Sequence, residues 1–142
     1  MADEQVGYVL KQVQQALRVV MDDAVRRHGL TTPQYAALSA LAGGGALSGA
    51  ELARRGFVTP QTMNGIVINL EAAGFVERRG DPGDARVLRV ALTPAGRARF
   101  DECQRAVGAI EERMVSGLRA DERVWLLDVL RRCKAALTAA TA

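Results

Sequence analysis

Lysine is almost missing from this chain: of its 19 basic residues only Lys11 and Lys134 are lysine, and the rest are arginine. Cysteine is scarce as well. Cys103 and Cys133 stand far apart with no neighbouring cysteine or histidine, which excludes a CxxC redox pair and the usual zinc-ligand spacings. They read as small apolar residues on helix faces; a thiol sensor or an inter-subunit disulfide is the other reading. One histidine, His28, leaves no Ser-His-Asp order to propose, and no GxxxxGK phosphate loop occurs. No apolar run approaches the ~20 residues of a membrane span. The opening residues, MADEQVGYVLKQ, are acidic and then amphipathic, unlike a secretory signal. The expectation is a cytoplasmic protein that is not an enzyme, without metal, cofactor or membrane partner.

What is present is ordinary in amount and particular in arrangement. The 142 residues suit one domain, or one domain with a helical extension, and apolar residues make up 49% of them. The formal net charge is +3 and the pI about 9.3, mild evidence for a polyanionic partner. Arginine suits phosphate forks and narrow minor grooves better than lysine does.

The periodicity predicts six helices and a hairpin. Val6, Leu10, Val13, Leu17, Val20 and Ala24 form one stripe on a helix from Asp3 to His28, stopped by Gly29. Thr32 as cap and Pro33 as first residue open a second helix, which ends at Gly43 to Gly45. Ser48 begins a short third helix closed near Gly56, and Thr59-Pro60 begins a fourth that runs to Ala73 and stops at Gly74. Two strands follow, Phe75 to Arg79 and Arg86 to Leu92, around the turn Asp81-Pro82-Gly83-Asp84. Thr93-Pro94 caps a fifth helix with the stripe Phe100, Cys103, Val107, Ile110, Met114 and Leu118. A sixth carries Trp125, Leu126, Val129, Leu130, Cys133 and Leu137 behind an acidic first turn, Asp121-Glu122.

The third and fourth helices are separated by about three residues, Phe57 to Thr59, so they must cross steeply, as in a helix-turn-helix. At 100° per residue Met63, Ile66, Val67, Leu70 and Ala73 share the inner face of the fourth helix. Gln61, Asn64, Gly65, Ile68 and Ala72 share the outer face, with Thr62 and Asn69 at its edge. That outer face is small, amide-bearing and nearly uncharged, whereas an idle surface helix more often carries Glu and Lys. Asn and Gln can pair with adenine, and Thr or an apolar group can meet the thymine methyl. The alternative is a helix packed on both sides. Beyond it Arg78 and Arg79 leave the first strand, and Arg86 and Arg89 lie on the second. A basic ribbon beside a helix-turn-helix reaches an adjacent minor groove, with Asp84 holding Arg86 to brace its shape.

From about Leu30 to Gly96 the sequence resembles the MarR family of winged helix-turn-helix regulators. The matching pieces are LTTPQYAALSALA, LSGAELARRGFVTPQTMNGIVINLEAAGFVERR and, most specifically, DPGDARVLRVALTPAG. The resemblance implies a mainly α (α+β) fold, ordered helix, helix, strand, helix, helix, strand, wing, strand, helix, helix. It implies a winged domain over 30–96 and a helical dimerisation region over 1–29 and 97–142. By the same resemblance the chain is a sequence-specific repressor that binds double-stranded DNA through Thr59, Gln61, Thr62, Asn64, Gly65, Ile68, Asn69, Arg78, Arg79 and Arg86. Three places depart from the family's pattern: the turn Arg55-Gly56-Phe57-Val58, Gly65 and Asn69 where many members carry arginine, and Gly83 between the wing aspartates.

The first, fifth and sixth helices expose more apolar stripe than one small domain can cover, which points to a homodimer about a twofold axis and a pseudo-palindromic operator. Family members often release DNA when a small phenolic or acidic compound enters the crevice beside the dimer helices. By that analogy His28 and Tyr35 would line it; otherwise Tyr35 packs in the core and His28 complements a helix dipole. A winged-helix module that binds protein in place of DNA is the rival function.

Overall fold

Three helices of the chain end in the same way, and those endings set the geometry of everything between them. In a computed structural model that describes residues 5–139, α1 spans Val6–Arg27, α2 Thr32–Gly44, α3 Gly49–Arg55 and α4 Pro60–Ala72. After α1 the residue at positive φ is Gly29; the Gly29 N–H bonds to Arg26 O and the Leu30 N–H to Val25 O. After α4 it is Gly74, with the same pair of bonds to Glu71 and Leu70. After α3 it is Phe57, at φ 55, with bonds from Phe57 to Arg54 and from Val58 to Ala53. All three are Schellman closures, which need a left-handed residue just past the helix cap.

The third closure falls near Gly56, as the sequence places it, and differs from the other two in one respect. Gly56 does cap α3, but at φ −87 it leaves the left-handed position to the phenylalanine that follows. An L residue there is strained by contact of its Cβ with the backbone. The Phe57 side chain is 93% exposed, so burial returns nothing for that strain.

The helix starts are capped by side-chain hydroxyls. Ser48 accepts from the Glu51 N–H at 3.2 Å, Thr59 from the Thr62 N–H at 3.1 Å, and Thr93 from the Gly96 N–H at 3.1 Å. The α2 cap is Thr31, in a capping box with Gln34, and not Thr32. Thr32 is the first helical residue and its hydroxyl donates to Asp22 of α1, so Pro33 falls second. The box wins because Gln34 lies three residues beyond Thr31 and can reach back to its N–H at 3.0 Å.

The sheet contains β1 (Leu47–Ser48), β2 (Val76–Asp81) and β3 (Asp84–Leu92), antiparallel in the order β1-β3-β2. Asp81 pairs with Asp84, so only Pro82 and Gly83 form the turn and the hairpin is tighter than the four-residue turn read from sequence. Val76 pairs with Leu92 and Leu47 with Val90, which brings their apolar side chains to one face. Under that face lies the core: Val25 of α1, Leu38 and Leu41 of α2, Leu52 of α3, Met63, Val67 and Leu70 of α4, and Phe100 and Cys103 of α5 (Pro94–Met114). Each such residue contributes about 1.5–3 kcal/mol by leaving water. The first turn of α5 lies tight on the residue before β2, where a Cβ on Gly96 would collide with the Phe75 carbonyl oxygen.

The chain divides into two compact units, the first ending at Gly108 and the second beginning at Ala109. The second holds the end of α5 and α6 (Ala120–Thr138), joined by an Arg123–Glu112 ion pair at 3.2 Å. α5 stops at Met114, so Leu118 of the expected stripe lies in the connection. No described residue of α6 is buried; Trp125 is 63% exposed, beside Leu127 and Leu130. Within the first unit α1 likewise leaves Val6, Val9, Leu10 and Val13 exposed. Asp3, where the sequence starts this helix, lies outside the described residues.

Replacing Phe57 with glycine is expected to raise the unfolding free energy by about 0.5–1 kcal/mol, the left-handed strain less glycine's extra chain entropy. Gly74→Ala adds the same kind of strain without a clash, since no atom lies within 4 Å of the new Cβ, and, less the chain entropy that alanine saves, is expected to cost about 1 kcal/mol. Urea unfolding of the two variants should give opposite signs.

Candidate nucleic-acid interface

Burial divides α4 as its periodicity foretold. Met63, Val67 and Leu70 are in the core and Ile66 is half-buried, while Gln61, Thr62, Asn64, Gly65, Ile68, Asn69 and Ala72 are exposed. Ala73 is the one misplaced residue: it caps the helix and is exposed, because the chain is already turning into Gly74. The outer surface thus carries three amides, Gln61, Asn64 and Asn69, the apolar Ile68, and at Gly65 no side chain. A partner backbone can come close there, since nothing lies within 4 Å of a Cβ built on Gly65.

The N-terminus of α4 points one open donor outward. Pro60 has no N–H, the Thr62 N–H is taken by the Thr59 hydroxyl, and the Met63 N–H by the Thr59 carbonyl. The Gln61 N–H is left, at the positive end of the helix dipole, for an anion. The Thr59 hydroxyl itself donates to Thr62 Oγ1 at 3.0 Å, so its cap role and any phosphate contact would compete.

Of the arginines expected at DNA, the structure separates three situations. Arg86 is the most open, with a side chain 93% exposed and its Nε 3.5 Å from Asp84 Oδ1. Arg79 lies on the outer face of β2 against Glu77. Arg78 is turned to the opposite side, only 28% exposed, where it meets Asn64 at 3.0 Å and Glu71 at 3.6 Å.

The wing holds the Asp84–Arg86 contact read from sequence and, beside it, a tighter brace. Asp84 accepts from the backbone N–H of Arg86 at 3.0 Å and shapes the turn, but its ion pair with the Arg86 side chain is loose. The firm brace is Arg89, whose Nε donates to Asp81 Oδ1 at 2.9 Å and whose Nη1 lies 3.5 Å from Glu51 of α3. That contact ties wing to helix-turn-helix. Arg89 had a signal in the sequence that only the register makes legible: it pairs directly across from Arg79. Like charges in that relation repel, and Glu77 and Asp81, at alternate positions of the same strand, neutralise them one each. The hydrogen bond from Arg89 holds the Asp81 carboxyl below its ordinary range, and the same bond raises the Arg89 pKa.

An open cavity of about 450 Å³ lies elsewhere in the first unit, lined by Met21, Thr32, Tyr35, Ala36, Ser39, Ala40 and Arg55. Tyr35 lines it and also stacks on Phe100, with ring centroids 5.5 Å apart; burial pushes its phenol pKa up. His28 does not line it. As the cap of α1, its carbonyl accepts from Arg99 at 2.7 Å, while the Arg99 guanidinium lies over the Phe75 ring. Tyr35 thus lines this cavity, while His28 stands at the end of α1 with its carbonyl held by α5.

Two short helices crossing through a tight turn, with a three-stranded sheet whose hairpin projects beside the second, define a winged helix-turn-helix protein. A family model described as MarR family matches residues 28–87. The HTH-type transcriptional repressor Rv2887 of Mycobacterium tuberculosis is 37% identical over 121 residues, 85% of this chain and 87% of that protein. The repressor NicR of Pseudomonas putida is 36% identical over 91% of this chain and 82% of its own. The chain belongs to the MarR family. Rv2887 has been solved in complex with DNA, and that structure superposes with a TM-score of 0.77 at 34% identity, covering 92% and 98% of the two chains. A salicylic acid complex of Rv2887 superposes at 0.74, with 35% identity and 93% and 98% covered. BpsR of Bordetella bronchiseptica, solved to explain regulation of its DNA binding by 6-hydroxynicotinic acid, superposes at 0.83, with 29% identity and 94% and 96% covered. Among the described residues no helix is long and apolar enough to cross a membrane.

The Asp81–Arg89 brace carries a pH signature. A carboxyl whose pKa is lower folded than unfolded stabilises fully above the unfolded value, about 3.9, and loses that contribution as pH falls through the folded value. Carbon-13 titration of the Asp81 carboxyl should place its midpoint below that of a free aspartate. Arg89→Ala should move it back up; an unchanged midpoint would remove Arg89 as the cause.

Proposed function

We propose that this chain is a homodimeric, sequence-specific DNA-binding repressor of the cytoplasm, with α4 in the major groove and the wing at the neighbouring minor groove. The observation that carries the reading is the outer face of α4: exposed, amide-bearing and nearly uncharged, its one carboxylate, Glu71, answered by Arg78, with Arg86 standing open on the wing beside it. Gln61, Thr62, Asn64 and Asn69 read base edges, Ile68 meets thymine methyls, and Gly65 admits the close approach. The Gln61 N–H at the helix start that Thr59 caps, together with Arg79 and Arg86, meets phosphates and sets the register. No catalytic step is assigned to any residue.

DNA binding belongs to residues 30–96 and dimerisation to 1–29 and 97–142. Support for the dimer is the apolar surface left bare on α1 and, separately, on α6. A twofold axis through such helices would set two recognition helices about one DNA turn apart, ~10 base pairs. Kinship with Rv2887 and BpsR supports a small phenolic or acidic effector. The cavity beside Tyr35 has the size for one, and Arg55 supplies a cation for its carboxylate.

Contact with ~6–10 phosphates would lower duplex affinity ~10³–10⁵-fold between 50 and 200 mM salt. A flat salt response in a fluorescence-anisotropy titration would instead favour a protein-binding module. Arg86→Ala should weaken binding to every duplex alike, whereas Gln61→Ala should relax the choice among sequences; the reverse pattern would exchange their roles. Salicylate should release the bound duplex, and Arg55→Ala should raise the concentration needed by roughly tenfold, the loss of one charge-assisted bond. Equal release from both proteins would move the effector elsewhere.

A further inference from the structure

Arg78 is placed as no phosphate-contacting arginine needs to be. It sits on the side of β2 that faces α4, mostly covered, and reaches two residues of that helix at once. Its Nη2 donates to Asn64 Oδ1 at 3.0 Å and its Nε lies 3.6 Å from Glu71 Oε1. Asn64 and Glu71 are seven residues apart, about two turns along one side of α4. A guanidinium has five donors and no acceptor, so the amide atom that faces it must be the oxygen. The Asn64 NH2 is thereby the group left to offer to a ligand, on a residue that is exposed.

An asparagine without such a partner presents either its oxygen or its nitrogen to a base edge, and discriminates poorly between donors and acceptors there. We propose that Arg78 is a positioning residue for base reading. It pins the Asn64 amide with its NH2 towards the major groove, so that Asn64 acts as a donor to a base acceptor such as a purine N7, and Glu71 keeps Arg78 in place. The inference rests on the reading of α4 as the recognition helix, and it takes Arg78 out of the set of direct DNA contacts. It also gives the wing hairpin a second task. The strand that presents Arg86 outward carries, through its neighbour, the residue that orients a reading group on the helix.

The test selects bound sequences from a random duplex pool with the wild-type chain, Arg78→Ala, Arg78→Lys, Asn64→Ala, Asn64→Asp and the Arg78→Ala/Asn64→Ala double variant. Salt slopes are measured on the best wild-type duplex. Arg78→Ala is expected to flatten the preference, roughly tenfold, at the same base pair that Asn64→Ala flattens. The double variant should be no flatter than either single one, Arg78→Lys should restore part of the preference, and the salt slope should not change. Arg78→Ala that weakens every duplex alike and lowers the slope by about 0.9 would identify a phosphate contact and overturn the proposal. So would a change at a different base pair, or none. Asn64→Asp keeps an acceptor for Arg78 but has no donor to offer, so its retention of the wild-type preference would overturn the proposal even if Arg78→Ala does not fold. A wild-type chain that enriches no sequence would take down the DNA-binding reading and this inference together. A selective wild-type chain indifferent to Arg78 would overturn this inference alone.

Discussion

Everything in the first unit depends on how α4 is held: Met63, Val67 and Leu70 are sunk in the core with Ile66 at its edge, while Asn64, Gly65, Ile68 and Asn69 stay in water. A helix buried along one stripe has no freedom to rotate, because a turn of a single residue, 100°, would exchange apolar and amide groups between core and solvent. The same burial that stabilises the domain therefore decides which side chains are offered to a partner. Leu38 and Leu52 supply the wall against which that stripe packs. The closures at Phe57 and Gly74 fix where the helix begins and ends.

The wing is governed by charge where the helix is governed by packing. A short antiparallel ribbon is marginal by itself, and four arginines on it would repel one another. Each is answered by a carboxylate: Arg79 by Glu77, Arg86 by Asp84, Arg89 by Asp81 and Glu51, Arg78 by Glu71. The exposed pairs are worth little to stability. Their weight lies in geometry, since Arg89 links the ribbon to α3 and Arg78 links it to α4. The acidic residues among them keep the arginines from scattering.

The strain at Phe57 belongs to the same logic. The turn between α3 and α4 requires a left-handed residue whatever occupies it, because the Schellman bonds close there. Glycine fills that need at Gly29 and Gly74, and phenylalanine does so at a cost in the helix-turn-helix. The strained residue stands beside the start of α4, and strained residues gather at functional sites.

Much of this was legible in one dimension. Hydroxyl caps at Ser48, Thr59 and Thr93, glycine stops at Gly29 and Gly74, and the 3.6-residue stripe of α4 are local, decided by residues within a few positions of each other. So they could be read, and the outer residues of α4 with them. One misreading was local as well, where two neighbours competed: Thr31 with Thr32 for a cap. What no local rule could supply was the pairing of charges. That Arg89 braces the wing as well as Arg86, that Arg78 reaches Asn64 across 14 positions, and that Arg99 reaches the His28 carbonyl follow from strand register and helix crossing. Caps and stripes are written in the spacing of neighbours along the chain. The partners of a long, charged side chain are set only when folding brings distant strands and helices within ~3 Å of it.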